Sequence, residues 1–118
     1  MASKGVLYIV ISGPDNHQRA IEGLRMAEYQ SGEGSHGVAL MLQGEGVEWL
    51  RDGSEDSRKE IQTSIGVVHE LGAPVFVCGA SLNERGLTAT MKDYKFTNSS
   101  APKRISQVVS KGWQLAVF

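Results

Sequence analysis

Cysteine is scarce in this chain, since Cys78 is the only one among 118 residues. A single thiol excludes an internal disulfide framework, and it excludes a zinc site built from several thiolates. An unpaired thiol is also typical of a reducing compartment. The cysteine content therefore favours a cytoplasmic protein.

The chain also lacks a surplus of either charge and any long apolar run. It has 12 Lys and Arg residues against 13 Asp and Glu residues, a formal net charge of −1, so no basic field is expected to attract nucleic acid or an anionic membrane. Every apolar run is much shorter than the roughly 20 residues of a membrane-spanning helix. The run at 5–12 is rich in β-branched residues and lacks the cleavage site of a signal peptide, so we expect a core strand in a cytoplasmic protein.

Five stretches have the pattern of β-strands. Four of them are almost continuously apolar, as expected for parallel strands that are buried on both faces. Strands that alternate with amphipathic helical stretches predict an α/β fold, here a three-layer sandwich with a mainly parallel sheet of about five strands in a single domain over residues 1–118. The strands are predicted at 5–12, 36–43, 74–79 and 113–118, with a weaker one at 94–98.

Three long helices are predicted between the strands, marked by proline at the start or glycine at the end, as at Pro14 and Gly32 for the first. Residues 80–98 hold a short helix at most, because Gly86 interrupts the pattern. Three helices are too few to cover both faces of about five strands. We therefore expect a homo-oligomer in which a second subunit buries part of the sheet; the alternative is an irregular lid over 87–96.

Cys78 falls at the end of a predicted strand, and in an open parallel sheet ligands bind at the carboxyl ends of the strands. Ser81 and Glu84 form a capping-box pattern, which predicts a helix that begins beside the cysteine. The amide groups and the positive dipole end of such a helix would lower the pKa of the thiol. Free cysteine is equally common as a small buried apolar residue, so this pattern leaves both interpretations open. The loops at this edge are predicted at 12–17, 43–49, 78–84 and 98–100.

Other polar residues give weaker indications. His17 could share this edge and activate the thiol or carry protons, although a histidine in the first turn of a helix is usually solvated. Glu45, at the same edge, would raise the pKa of a nearby thiol. His36 and His69 have no partners at ligand spacing, so no metal is expected. No glycine-rich motif matches a nucleotide-binding loop and no cofactor is expected; the basic pair at 103–104 is predicted to be a solvated helix face.

The order and spacing of four motifs resemble the DsrE/DsrF-like family, which includes sulfur-relay proteins of the DsrE, TusD and YchN types. The resemblance runs nearly end to end. It implies a DsrEFH-like α/β sandwich that assembles into trimers or hexamers. The motifs are SGPDNHQRA after the first strand, LQGEGVEWL after the second, APVFVCGASLNERGLT around the cysteine, and the terminal GWQLAVF.

The resemblance also implies a role for Cys78 as the active cysteine. In the sulfur-relay members this residue accepts a sulfane sulfur as a persulfide and passes it to a thiol of a partner protein. The N–H groups of Gly79, Ala80 and Ser81 are candidates to hold the terminal sulfur. Some members have a second cysteine where this chain has Ser81, so a disulfide cycle within one subunit is impossible here, whereas persulfide transfer needs only one thiol.

Two other functions compete with the sulfur carrier. The first is an oligomeric scaffold or small-ligand-binding protein in which Cys78 is inert. The second is a thiol redox protein that forms a disulfide with another chain or an external thiol. Sulfur donor and acceptor proteins are the expected partners only if the sulfur-carrier interpretation is correct.

Overall fold

The fold is an α/β sandwich built on one parallel sheet. The computed structural model describes residues 4–34 and 36–118. Five strands form the sheet in the order β6-β3-β2-β1-β7 with every neighbouring pair parallel, which confirms the predicted fold class. The strands are β1 (Gly5–Val10), β2 (Gly37–Leu42), β3 (Val75–Cys78), the short antiparallel pair β4 (Thr90–Met91) and β5 (Tyr94–Lys95), β6 (Thr97–Ser99) and β7 (Gln114–Val117).

Within residues 4–34 and 36–118, four α-helices and two 3-10 turns connect the strands. The first α-helix begins three residues after Pro14, which lies in the preceding 3-10 turn, and the Asn16 side chain accepts the Arg19 N–H at 3.4 Å as its cap. It ends at Gly34, whose φ of 75° suits glycine, and not at Gly32 as predicted. The helices are α1 (His17–Glu33), α2 (Asp56–Glu70), α3 (Gly79–Arg85) and α4 (Ala101–Ser110), with 3-10 turns at Pro14–Asn16 and Gly44–Leu50.

The two faces of the sheet are covered unequally. Side chains alternate between the faces along each strand, so Tyr8 and Val10 pack under α1 and α2, whereas Leu7 and Ile9 pack against α4. The α4 face therefore has one helix for five strands, as the predicted shortage of helices implies. Its core comprises Leu7, Ile9, Ala39, Met41, Cys78 and Ala101, with Phe76, Ile105, Val108 and Trp113 around it.

The segment between α3 and β6 is a packed hairpin and not an irregular lid. The stretch predicted as one weak strand at 94–98 is divided between β5 in the hairpin and β6 in the main sheet. The Tyr94 hydroxyl donates to Glu70 at 3.0 Å, and the His69 ring stands edge-on to both Tyr94 and Phe96. These contacts hold the hairpin against the end of α2.

Within residues 4–34 and 36–118, every helix is too short or too polar to cross a bilayer.

Candidate functional site

Cys78 is the last residue of β3, and α3 begins at the next residue. Its side chain lies on the α4 face of the sheet, and the residue is 6% exposed. The thiol thus lies at the carboxyl edge of the sheet, directly below the first turns of two helices, α3 and α4.

Four hydrogen-bond donors surround the sulfur. Burial by itself would raise the pKa of Cys78, but the Ser81 hydroxyl and the backbone N–H groups of Ser81, Ala80 and Ala101 hydrogen-bond to it. Together these donors outweigh burial and lower the pKa of the thiol below its ordinary value. Because each donor stabilises negative charge on sulfur, the site favours the thiolate, the form of cysteine that attacks other sulfur atoms.

Ser81 is not the cap of α3 that the capping-box pattern predicted. It does not begin α3, because the helix starts two residues earlier and Cys78 occupies the cap position. Its oxygen accepts the N–H of Gly44 at 2.9 Å. The same hydroxyl hydrogen-bonds to Cys78, so Ser81 connects the loop after β2 to the thiol.

The loop that supplies the Gly44 amide is held firmly against the sheet. The indole N–H of Trp49, a fully buried residue, donates to the Ser12 carbonyl at 2.8 Å. Gly46 packs so closely on β1 that a Cβ there would lie 2.1 Å from the Val10 carbonyl oxygen. These contacts fix the position of the amide that binds Ser81.

Gly79 contributes space to the site. A Cβ on Gly79 would lie 2.5 Å from the Asn98 side-chain oxygen, so a larger residue at this position would require the Asn98 side chain to move. Its N–H is not among the donors that lower the pKa of Cys78, whereas those of Ala80 and Ser81 are. The additional donor, Ala101, comes from α4.

The acidic residues near the loop form ion pairs with arginine. The Arg85 guanidinium lies 3.1 Å from Glu48, 3.5 Å from Glu84 and 3.7 Å from Glu45, and it donates to the Ser81 carbonyl at 3.1 Å. A hydrogen bond from Arg51 is the main cause of the lowered pKa of Glu48. Glu45, a predicted site residue, thus contacts the Arg85 side chain.

His17 lies in a separate group of contacts. Its Nε2 is 2.5 Å from the Glu60 carboxylate on α2, and its ring stands edge-on to Trp49. Neither contact involves Cys78, and activation of the thiol by His17 stays a prediction without support from this geometry. Across residues 4–34 and 36–118, histidine, cysteine and acidic side chains form no group of three that could hold a metal ion.

Two contributors to the site were not predicted from the sequence: the N–H of Gly44 and the N–H of Ala101. The second had a visible signal. Pro102 marks a helix start immediately after the predicted edge loop 98–100, so the N-terminus of α4 had to lie at the same edge as Cys78. The N–H of Gly44 had no signal in the sequence, because the pairing of Gly44 with Ser81 depends on how two distant loops pack.

Replacement of Ser81 by alanine should raise the pKa of Cys78. The variant loses the hydroxyl donor and keeps the three backbone donors, so its thiolate fraction at neutral pH falls. The pH dependence of the reaction with iodoacetamide measures this, and the curve should move to higher pH. Ser106→Ala, an exposed position on α4, is the matched control and should leave the curve in place; an unmoved curve for Ser81→Ala would contradict the assignment of this donor.

An open parallel α/β sandwich with one thiol at its carboxyl edge is the class of protein that this geometry defines. The chain belongs to the DsrE/DsrF-like family, which matches residues 4–118 and confirms the resemblance seen in the sequence motifs. No curated protein sequence matches the chain significantly.

Solved structures share the fold at low sequence identity. The ychN protein of E. coli superposes with a TM-score of 0.76 at 17% identity, with 99% of this chain and 100% of that chain covered. A protein of unknown function from Methanobacterium thermoautotrophicum gives 0.75 at 17%, with the same coverage. Another, from Bacteroides thetaiotaomicron, gives 0.74 at 16%, with 96% and 94% covered. At this identity the likeness describes the fold.

Proposed function

We propose that this protein carries a sulfane sulfur as a persulfide on Cys78 and transfers it to a thiol of a partner. The observation that supports this most directly is the set of four donors around the sulfur, which stabilise a thiolate at the edge of an apolar core. The same donors suit a persulfide anion, which carries its charge next to the position of the thiolate. Membership of the DsrE/DsrF-like family is consistent with a role related to sulfur relay.

The proposed reaction needs no second cysteine. The Cys78 thiolate attacks the outer sulfur of a donor persulfide R–S–SH, the donor S–S bond breaks, and its electron pair leaves with the thiolate R–S⁻. Cys78–S–SH remains. An acceptor thiolate then attacks the outer sulfur, takes it as its own persulfide and restores the Cys78 thiolate, so neither step requires an oxidant or a reductant.

Cyanide tests the transfer step, because it removes the outer sulfur as thiocyanate and leaves the thiolate. Protein treated with polysulfide and then desalted should release about one thiocyanate per chain, the stoichiometry that a single-cysteine carrier requires. Protein alkylated beforehand with iodoacetamide is the control, since Cys78 is the only thiol. Equal release from both samples would contradict the proposal. An inert thiol that yields no thiocyanate at all would favour the scaffold, and a thiol that instead forms disulfides with peroxide would favour the redox protein.

We further propose that a second copy of this chain covers the incomplete α4 face. Leu115 and Val117 pair in register with Leu7 and Ile9 and therefore point to this face, yet they are 41% and 48% exposed. Ile11, just after β1, and Val109, on α4, are also exposed apolar residues. Since β7 is an edge strand, a neighbouring subunit can approach it without displacing any element.

Light scattering should give a trimer or a hexamer, and Leu115→Lys should shift it toward monomers, because a buried charge without a partner opposes association. Tyr29→Lys, at a more exposed apolar position on α1 away from β7, is the control. A monomeric native protein would contradict the proposal.

Persulfide on an unpaired cysteine also suits a reducing compartment, and we propose the cytoplasm as the location.

A further inference from the structure

Arg104 packs against β3 and β6, the strands of Phe76 and Ser99, although its position in the basic pair 103–104 predicts a solvated helix face. Its guanidinium lies 4.1 Å from the centre of the Phe76 ring, and its Nε donates to the Ser99 hydroxyl at 3.2 Å. The cation over the ring and the hydrogen bond together limit where the planar group can lie.

Both residues that Arg104 contacts lie on the same face of the sheet as Cys78. Phe76 precedes the cysteine by two residues on β3, so the two side chains share a face. Ser99 is paired with Cys78 in the register of β3 and β6. Two contacts from different strands therefore place the guanidinium on the same side of the sheet as the sulfur.

The helix that carries Arg104 places it near the sulfur as well. The N–H of Ala101, the first residue of α4, hydrogen-bonds to Cys78. Arg104 follows one turn later, and residues three apart lie on one face of a helix. Ala101 is buried against the sheet and Arg104 is half-buried, so the backbone of Arg104 lies about one helical turn, roughly 5 Å along the axis, from the residue whose amide holds the thiol.

No ion pair within residues 4–34 and 36–118 neutralises the charge of Arg104. The ion pairs among the described residues involve Arg25, Arg51, Arg58, Arg85 and His17 and do not include Arg104. Of the five N–H donors of a guanidinium, the one on Nε is used, and those on Nη1 and Nη2 have no hydrogen-bond partner in residues 4–34 and 36–118. Arg85, by contrast, contacts three carboxylates.

We infer that Arg104 makes the Cys78 site selective for small sulfane-sulfur donors that carry negative charge, with thiosulfate as the simplest member of the class. This inference rests on the proposed function. A thiolate and an anionic donor repel each other, and an unneutralised cation beside both reduces that repulsion and orients the donor. The low exposure of Cys78 favours a small donor over a bulky one.

The step with thiosulfate balances without a further reactant. The Cys78 thiolate attacks the outer sulfur of S–SO₃²⁻, a new S–S bond forms, and the donor S–S bond breaks with its electron pair leaving on sulfite, SO₃²⁻. The total charge of −3 is the same before and after the step. In this reaction Arg104 binds the oxyanion end, so it is a specificity-determining residue and takes no proton.

Alkylation by two reagents of similar size and different charge tests this inference on the intact protein. Iodoacetate is an anion and iodoacetamide is neutral, and both react with the same thiolate. In Arg104→Gln the ratio of the iodoacetate rate to the iodoacetamide rate should fall by roughly fivefold to tenfold at low salt, the scale of one partly screened charge at close range. Lys103→Gln, which removes an exposed charge from the adjacent position, is the control and should leave the ratio within about twofold, since exposed charges act weakly.

Arg104→Lys separates charge from geometry. It keeps the cation but loses the planar stacking on Phe76, so its ratio should lie between those of the native protein and Arg104→Gln. The native protein, Arg104→Lys and Arg104→Gln should rank in this order, from fastest to slowest, for persulfide formation from thiosulfate. If Lys103→Gln lowered the ratio of the two alkylation rates as much as Arg104→Gln does, the inference would be overturned, because the charge alone and not its position would set the ratio.

The outcomes distinguish this inference from the proposed function. An unchanged ratio in Arg104→Gln, with Cys78 still loaded by polysulfide, overturns the selectivity and leaves the sulfur carrier intact. A lowered ratio with no persulfide from any donor supports an anion-selective thiol and overturns the sulfur carrier. A native thiol that reacts with neither reagent overturns both.

Discussion

Cys78→Ser should abolish sulfur loading and transfer while the protein stays folded. An alcohol does not ionise in the range in which a thiol does, and the variant has no other cysteine to take over, so thiocyanate release after treatment with polysulfide should fall to background, at least about a thousandfold below the native protein. The four donors around the sulfur can still hydrogen-bond to the serine oxygen. Urea unfolding should therefore show a loss of only about 1 to 2 kcal/mol, the scale of a small core substitution.

Cys78→Ala is the matched variant for this prediction. It removes the acceptor for the buried donors as well as the nucleophile, so its free energy of unfolding should be lower than that of Cys78→Ser, and its loading should be equally absent. If Cys78→Ser still released thiocyanate at the native level, the sulfur would be held elsewhere in the chain, and the proposal would be wrong.

Gly46→Ala should strongly destabilise the fold. The new Cβ would lie 2.1 Å from the Val10 carbonyl oxygen and 2.9 Å from the Val10 carbonyl carbon. Both atoms belong to the backbone of the central part of the sheet, which cannot yield as a flexible side chain can. The loop Gly44–Leu50 must therefore move away, and we expect a loss of about 3 kcal/mol or more in the free energy of unfolding.

The same substitution should weaken the thiol chemistry through Ser81. Displacement of the loop withdraws the Gly44 amide from the Ser81 oxygen, and the Ser81 hydroxyl is then free to turn from Cys78. The pH dependence of alkylation should move to higher pH, as in Ser81→Ala. Gly32→Ala is the control, because a Cβ on that α1 glycine would contact nothing within 4 Å; it should leave stability unchanged or increase it by up to about 1 kcal/mol. Equal stability of the two variants would contradict the packing described for the loop.

Much of the fold could be predicted from the sequence because its strong signals are local. Four apolar runs bounded by helix signals predict parallel strands, and Cys78 at the end of one run predicts a position at the carboxyl edge. The predicted strand at 94–98 was too coarse for a local reason: the chain turns from β5 into β6 around Phe96, and short exposed strands have little apolar pattern.

The chemistry of the site was less predictable, because it depends on contacts between distant segments. The pairing of Gly44 with Ser81 spans 37 residues, and no periodic pattern encodes it. The basic pair 103–104 predicts a solvated helix face for both residues. Arg104, however, lies three residues after the buried Ala101, and this spacing places it on the sheet side of α4. Helical spacing from Pro102 could have separated the two basic residues.

Intact-protein mass spectrometry after brief exposure to polysulfide or thiosulfate tests the central claim most directly. Native protein and Cys78→Ser are treated side by side and measured before and after a reductant. We expect a gain of one sulfur mass on the native chain only, reversed by the reductant. An unmodified native chain, with Cys78 also silent to thiol reagents in the folded state, would contradict it and make the cysteine a structural residue.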